Sequence, residues 1–116
     1  MELLVVILIV AILASIAIPV FLKQREDGYR AQLESALKNT AVALESYATE
    51  HSGDYSAAAL PQLRADHGLN LPALVDVTLP PAHLTSSGYC IEASHPRLAE
   101  IRHFSKSAGQ PASGAC

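Results

Sequence analysis

The feature that most constrains this chain is an uncharged run of 20 residues, LLVVILIVAILASIAIPVFL, from Leu3 to Leu22. Half of all 116 residues are hydrophobic, and this run concentrates them, because only Ser15 and Pro19 interrupt its apolar side chains. A helix of that length measures about 30 Å, which matches the hydrocarbon core of a bilayer. We therefore expect residues 1–22 to form a helix that can cross a membrane. Residues 23–116 then form a globular head that includes the continuation of the helix.

The chain contains two cysteines, Cys90 and Cys116. Neither lies in a CxxC pair or beside a histidine ligand, so the sequence gives no signal for a metal site. The simplest interpretation is a disulfide in an oxidising compartment, and the alternative is two free thiols in a reduced protein. Closing a loop of about 25 residues removes about 3.5 kcal/mol of unfolded-state entropy. We therefore expect a disulfide that stabilises a small head.

A cleaved signal peptide is the alternative to an anchor for the apolar run. Signal peptides have a basic start and an apolar stretch of about 7–15 residues. This run is longer, and no Lys or Arg precedes it. The first cations, Lys23 and Arg25, follow the run, and the positive-inside rule would then place the head in the cytoplasm. An anchor is favoured, but this topology conflicts with an oxidised head.

Composition and motifs argue against an enzyme and against intrinsic nucleic-acid binding. The net charge is −3 and the eight Lys and Arg residues are scattered, so no basic stripe is predicted. The histidines form no HExxH pattern and are expected on the solvated surface; they are His51, His67, His83, His95 and His103. His103 is the exception, because it lies in a predicted strand and its side chain can face either side of the sheet. There is no GxSxG, phosphate loop or CxxCH motif. We predict no catalytic, cofactor-binding or metal-binding residues.

Two residues near the apolar run are costly in a simple anchor. Glu2 either reaches the headgroups, where its charge favours the helix dipole, or pairs with another charge. Pro19 removes one backbone hydrogen bond and clashes with the carbonyl of Ser15, so the helix should kink or loosen between these residues. The alternative for Pro19 is a proline that a membrane helix tolerates.

The segment ELLVVILIVAILASIAIPVFL, Glu2 to Leu22, resembles the N-terminal segment of type IV pilins and the related pseudopilins. It combines an acidic residue before an aliphatic run, a proline 17 positions later and a long amphipathic continuation. The resemblance covers about the first 50 residues. Beyond them it is architectural, except that GYCIEAS followed by a terminal Cys resembles disulfide-closed pilins of Gram-positive and other monoderm bacteria.

This resemblance implies an α+β pilin fold, in which a long helix packs on a small antiparallel sheet, and a non-enzymatic function. The chain would be the major subunit of a type IV pilus, a surface filament of identical subunits used for adhesion, twitching motility or DNA uptake. Before assembly it would be a single-pass precursor in the cytoplasmic membrane, handled by a prepilin peptidase and the pilus assembly machinery. The alternatives are a type II secretion pseudopilin or minor pilin, and a monotopic membrane-anchored binding domain.

The resemblance also implies roles for individual residues. Glu2 would pair with the N-terminal amine of an adjacent subunit and so set the register, and Pro19 would permit local melting during assembly. Pilins usually begin with an N-methylated Phe about three residues before the glutamate, whereas Met1 directly precedes Glu2. We therefore expect this sequence to start at an internal Met and to lack a basic leader, which would remove the topology conflict.

Periodicity predicts the remaining elements. The helix should continue to about residue 51, with an apolar stripe on one face: Tyr29, Leu33, Ala36, Leu37, Thr40, Leu44, Tyr47 and Ala48. The charges on its other face, Arg30, Glu34, Lys38, Glu45 and Glu50, should be solvated, with weak pairs between Arg30, Glu34 and Lys38. We expect a helical turn at residues 60–66, then three strands at residues 74–79, 88–93 and 99–105, whose apolar face covers the stripe. The tail GQPASGAC is predicted as coil.

Overall fold

The computed structural model describes all residues, 1–116, as a rod with a head at one end. Its principal extents are 76 × 25 × 19 Å. A single helix, α1, runs over Glu2–Glu50 and gives the molecule its length. It ends as predicted, at a turn where Ser52 and Gly53 have positive φ values of 58° and 84°. The Gly53 N–H donates to the carbonyl of Ala48 at 2.7 Å, which satisfies a carbonyl at the helix end.

Helix α1 stays helical through Pro19. The carbonyl of Ser15 has no helical donor there, because proline has no N–H. The Ser15 hydroxyl donates to the carbonyl of Ile12 at 2.6 Å, within the same turn. The expected kink or loosening between Ser15 and Pro19 therefore does not interrupt the helix in the single chain. The turns on both sides keep their hydrogen bonds, so one missing bond does not open the helix.

A four-stranded antiparallel sheet covers the second half of α1, with strand order β1-β2-β3-β4. The strands are β1 Asp76–Thr78, β2 Cys90–Ser94, β3 Arg102–Ser105 and β4 Pro111–Ser113. The first three strands correspond to the predicted ones: β1 and β3 are shorter and lie within the predicted ranges, and β2 begins two residues later and ends one residue later than predicted. A short helix, α2, occupies Leu60–Asp66 as expected, and a 3-10 turn lies at Pro81–His83.

Strand β4 corrects the prediction of three strands and a coil tail. Its residues pair with β3 in the register Arg102↔Ser113, His103↔Ala112 and Phe104↔Pro111. Pro, Ala and Ser have low strand propensity, so the segment carries no local signal. Pro111 is tolerated because β4 is an edge strand, where a missing donor faces away from the sheet. The pairing is imposed by β3 beside it.

The core lies between α1 and the inner face of the sheet. The predicted stripe is confirmed, since all its members are buried except the half-buried Tyr29. Ala41 and Ala43 are also buried, so the small residues of α1 let the sheet approach closely. The sheet contributes Val77, Ile91, Ala93 and Phe104 to the same cluster, and Val75 and Tyr89 join it directly before β1 and β2. The face predicted to cover the stripe is therefore the one that does so.

Two histidines predicted on the surface are buried instead. His95 is 2% exposed, its ring stacks on Tyr29 at 4.5 Å between centroids, and its Nδ1 accepts the N–H of Arg97 at 3.0 Å. The side chain of His67 is also 2% exposed and meets the edge of the Tyr47 ring at 5.8 Å. Tyrosines of α1 at the margins of the stripe provide ring surfaces that cover these imidazoles. The helical period predicted these tyrosines as core residues, but nothing in the sequence indicated that they would cover histidines.

Candidate functional site

The largest unpartnered surface of the molecule is the apolar segment, Leu3–Leu22. Its large side chains are between 51% and 72% exposed, and none belongs to the buried core. The most apolar 18-residue window of α1 has a mean hydropathy of 3.2 and is 0% buried, so this helix is long and apolar enough to cross a membrane. A surface of this kind needs lipid or other apolar helices around it.

The residues predicted to act in assembly lie along this segment. Met1 is 99% exposed at its tip, and Glu2 begins the helix, where a carboxylate is favoured by the helix dipole. Glu2 makes no salt bridge within the chain. Pro19 lies about 26 Å further along the helix, at 1.5 Å per residue. The fold therefore keeps Met1 and Glu2 together and separates both from Pro19 and from the head.

The predicted disulfide is confirmed at the opposite end of the molecule. Cys90, the first residue of β2, is bonded to Cys116 with a Cα–Cα distance of 6.1 Å and a sequence separation of 26. The N–H of Cys116 donates to Oε1 of Glu92 at 3.0 Å. The Gly114 N–H donates to the carbonyl of Ile101 at 2.7 Å. The tail is thus fixed to both β2 and β3.

An ion-pair network joins the middle of α1 to the head. Arg30 donates to Oε1 of Glu100 at 2.7 Å and to Asp27 at 2.9 Å. Arg102 of β3 pairs with Glu34 at 3.0 Å. The hydrogen bond to Glu100 is the main reason that the pKa of Arg30 is raised. These contacts correct the predicted pairs of Arg30 and Glu34 along the helix. Arg30 pairs with Glu26 and Asp27 of α1 and with Glu100 of the head, and Glu34 pairs with Arg102 of the head.

A second polar cluster ties α1 to the turns of the head. Tyr55 donates its hydroxyl to Oε2 of Glu45 at 2.9 Å, and the Lys106 ammonium lies 4.7 Å from the centre of the Tyr55 ring. Burial, followed by the charge of Glu45, raises the pKa of Tyr89. A hydrogen bond to Tyr55 raises the pKa of Lys106. No local sequence pattern links these residues, so the cluster was not predictable from the sequence.

The most prominent depression on the head lies beside Cys90. It has a volume of about 660 Å³ and is open to solvent, with a polar wall that includes Thr85, Ser87, Ser105 and Lys106. Two hydroxyls of this wall are occupied by the chain itself, because Thr85 donates to the carbonyl of Gly88 and Ser105 accepts the N–H of Ala108. No group of three or more His, Cys, Asp or Glu side chains is placed to hold a metal ion.

The candidate functional features of the molecule are therefore the exposed half of α1 with Glu2 at its tip, and the disulfide in the head. The resemblance to type IV pilins is carried by the residues from Glu2 to Leu22 and by the tail that the disulfide closes. Comparison with protein-family models and with curated proteins gives no match to this chain.

Proposed function

We propose that this chain is a filament subunit of the type IV pilin class, non-enzymatic and held in a membrane by α1 before it assembles. The single observation that carries the proposal is the apolar segment, which leaves fifteen large apolar side chains exposed between Leu3 and Leu22. Burying a large apolar side chain contributes about 1.5–3 kcal/mol, and about half of each surface is still open. Full burial of the segment then contributes on the order of 20 kcal/mol.

That free energy exceeds the usual 5–15 kcal/mol by which a domain is stable, so the segment does not remain in water. Before assembly, lipid surrounds the apolar segment. After assembly, a bundle of identical helices surrounds it, and van der Waals contacts between helices replace contacts with lipid tails. The head, which covers only the second half of α1, leaves the whole apolar segment available for this exchange.

Glu2 gives such a bundle its register in this proposal. A carboxylate taken into a bundle of aliphatic helices is costly unless it is paired. Within one chain Glu2 has no charged partner, and the exposed tip leaves its carboxylate open to a neighbouring copy. A pair between Glu2 and the N-terminal amine of an adjacent mature subunit compensates the burial of both charges.

The test replaces Glu2 with Ala in the strain that produces the filament. We expect membrane insertion to persist, since the apolar segment is unchanged, and filament yield to fall. The matched control is Asp66→Ala, which removes one exposed carboxylate from α2 in the head. Normal filament yield from Glu2→Ala would refute the role of Glu2. A chain that never forms filaments and stays monomeric in detergent would instead be an anchored binding domain.

Filaments also allow the disulfide to be tested. We expect mass spectrometry of purified filaments to show Cys90 and Cys116 bonded, because an extracellular filament is exposed to an oxidising medium. Two free thiols in that material would contradict an extracellular location.

A further inference from the structure

Arg25 is a cation without an acidic partner at the point where α1 leaves its apolar segment. Its Nη2 donates to the hydroxyl of Tyr29 at 3.0 Å, and its guanidinium carbon lies 6.0 Å from the centre of the Phe21 ring. The chain places no carboxylate within 4.0 Å of it. The guanidinium is thus held between two aromatic side chains, one helical turn away on each side, and most of its donors are free.

The carboxylates nearest in sequence belong to another face of α1. At about 100° per residue, Glu26 lies about 100° and Asp27 about 160° around the helix from Arg25. Both carboxylates face Arg30, at 3.7 Å and 2.9 Å, and Arg30 is also bonded to Glu100 at 2.7 Å. The acids are therefore compensated by Arg30, and Arg25 remains the free charge of its face.

The position along the helix places this free charge in a defined layer of a membrane. Arg25 lies three residues, or about 4.5 Å, beyond Leu22. Each headgroup layer outside the hydrocarbon core is about 5–7 Å thick. When the apolar segment spans a bilayer, Arg25 therefore lies among the lipid phosphates, with Phe21 at the hydrocarbon boundary. The anion most available to the guanidinium there is a phosphate.

Tyr29 adds a second donor to the same place. Its hydroxyl oxygen accepts the hydrogen bond from Arg25, so its own O–H is left to donate, and no acceptor for it lies within the chain. The ring is fixed by stacking on the buried His95 at 4.5 Å, which ties its position to the head. A phosphate bound by the guanidinium would also receive the phenol hydrogen bond.

We propose that Phe21, Arg25 and Tyr29 form a binding site for the phosphate of an anionic phospholipid. This site rests on the membrane-inserted state of the proposed function and adds a specific lipid contact to it. The guanidinium binds two phosphate oxygens through parallel N–H donors, Tyr29 donates one further hydrogen bond, and Phe21 packs on the first methylenes of the acyl chains. The lipid contact also fixes the rotation of α1 about its axis before assembly.

Lys23 provides a matched control, because it lies only about 3 Å nearer the hydrocarbon core, within the same headgroup layer, but about 160° around the helix from Arg25. It also lacks a salt bridge. Lys23→Gln and Arg25→Gln remove the same charge from the same headgroup layer. A difference between them therefore reports the site on one face, whereas equal effects report only general attraction to an anionic surface.

The experiment titrates the full chain in nonionic detergent micelles with phosphatidylglycerol and counts bound lipids by native mass spectrometry. We expect tighter binding of phosphatidylglycerol than of phosphatidylcholine. Arg25→Gln should weaken it about fivefold, the usual effect of one cation near an anionic headgroup. Lys23→Gln should weaken phosphatidylglycerol binding less than twofold, and Tyr29→Phe should weaken it about twofold. The affinity of Arg25→Lys should lie between those of Arg25→Gln and the unchanged chain, because lysine keeps the charge but cannot make the bidentate contact of the guanidinium.

Equal weakening by Lys23→Gln and Arg25→Gln would overturn the site. Displacement of the lipid by millimolar inorganic phosphate would overturn the lipid as its ligand. An Arg25→Gln chain that binds phosphatidylglycerol normally but gives few filaments would assign Arg25 to a carboxylate of a second copy instead.

Carbonate extraction of the same chains from vesicles separates these outcomes from failure of the proposed function. A chain that carbonate removes from vesicles contradicts the membrane-inserted state itself. A chain that is retained, with no effect of Arg25→Gln on lipid binding, contradicts only the lipid site.

Discussion

Reducing the disulfide between Cys90 and Cys116 should destabilise the head by about 3.5 kcal/mol. The two cysteines are 26 residues apart, and the chain-entropy expression for a loop of that length gives about 12 cal/mol/K, or about 3.5 kcal/mol at 25 °C. The bond joins the tail to β2 and not to α1, so its loss removes no contact between helix and sheet. The destabilisation should therefore appear as easier unfolding of an otherwise unchanged head.

The assay is urea unfolding of the full chain in nonionic detergent, with and without a phosphine reductant. The near-ultraviolet signal of the tyrosines should be followed, since Tyr47, Tyr55 and Tyr89 are buried in the core and the chain has no Trp. Far-ultraviolet ellipticity is unsuitable, because the apolar segment remains helical in the micelle. With an m-value of about 1.5 kcal/mol/M, the midpoint should fall by about 2 M on reduction.

A midpoint shift below about 0.5 M would refute this reasoning, because it corresponds to less than about 1 kcal/mol. It would mean that the unfolded chain does not gain the freedom that the open loop allows. A second measurement, amide hydrogen exchange, shows whether reduction also changes the folded state. In the reduced protein without urea, amide exchange should accelerate at Gly114, whose N–H bonds to Ile101, and should stay slow in α1 at Leu37.

Three further predictions concern the core, the backbone and pH. Leu37→Ala should lower the free energy of unfolding by about 2–5 kcal/mol because Leu37 is 0% exposed, whereas Val42→Ala, at 69% exposed on the same helix, should change it by less than about 0.5 kcal/mol; urea unfolding measures both. Gly28→Ala should raise the thermal midpoint, because Gly28 is helical with open space where a Cβ would lie, and Gly53→Ala should lower it, because the φ of Gly53 is 84°. Each substitution should change the free energy of unfolding by about 1 kcal/mol, measured by calorimetry. Burial raises the pKa of Tyr89, so the folded state keeps the proton that the unfolded chain loses above about pH 10, and stability should fall as pH rises beyond that value. Urea midpoints from pH 9 to pH 12 should show a shallower fall for Tyr89→Phe, and the remaining slope is assigned to Lys106, whose raised pKa acts in the same direction.

The parts of the fold that local patterns control were predictable from the sequence. The apolar run and the stripe depend on a 3.6-residue period, and α1 ends at Glu50 beside the predicted residue 51. The disulfide was predictable because only two cysteines are present. The face of the sheet that packs on α1 followed from alternation of apolar residues in β1 and β2.

The parts that distant pairings control were not predictable. Strand β4 consists of residues with low strand propensity and exists because β3 lies beside it. The shortest ion pair of Arg30 is with Glu100, 70 residues away, and helix spacing could not predict it. His95 lies in a turn between Ser94 and Pro96, and its burial depends on the ring of Tyr29. At the candidate site, the apolar segment was evident, whereas the pairing of Arg25 with Tyr29 needed side-chain geometry.

The width of the head constrains how copies of this rod can pack together. Parallel helices pack with axes 8–10 Å apart, whereas the molecule is 25 × 19 Å in cross-section. Copies at the same height can bring their apolar segments into contact only in a small ring with the heads outside, because heads of this width crowd one another as copies are added. Any larger assembly must shift successive copies along the axis, so that each head lies above or below its neighbours. In the proposed filament, the mismatch between a thin helix and a wide head therefore favours a staggered, helical arrangement of copies over a flat or closed one.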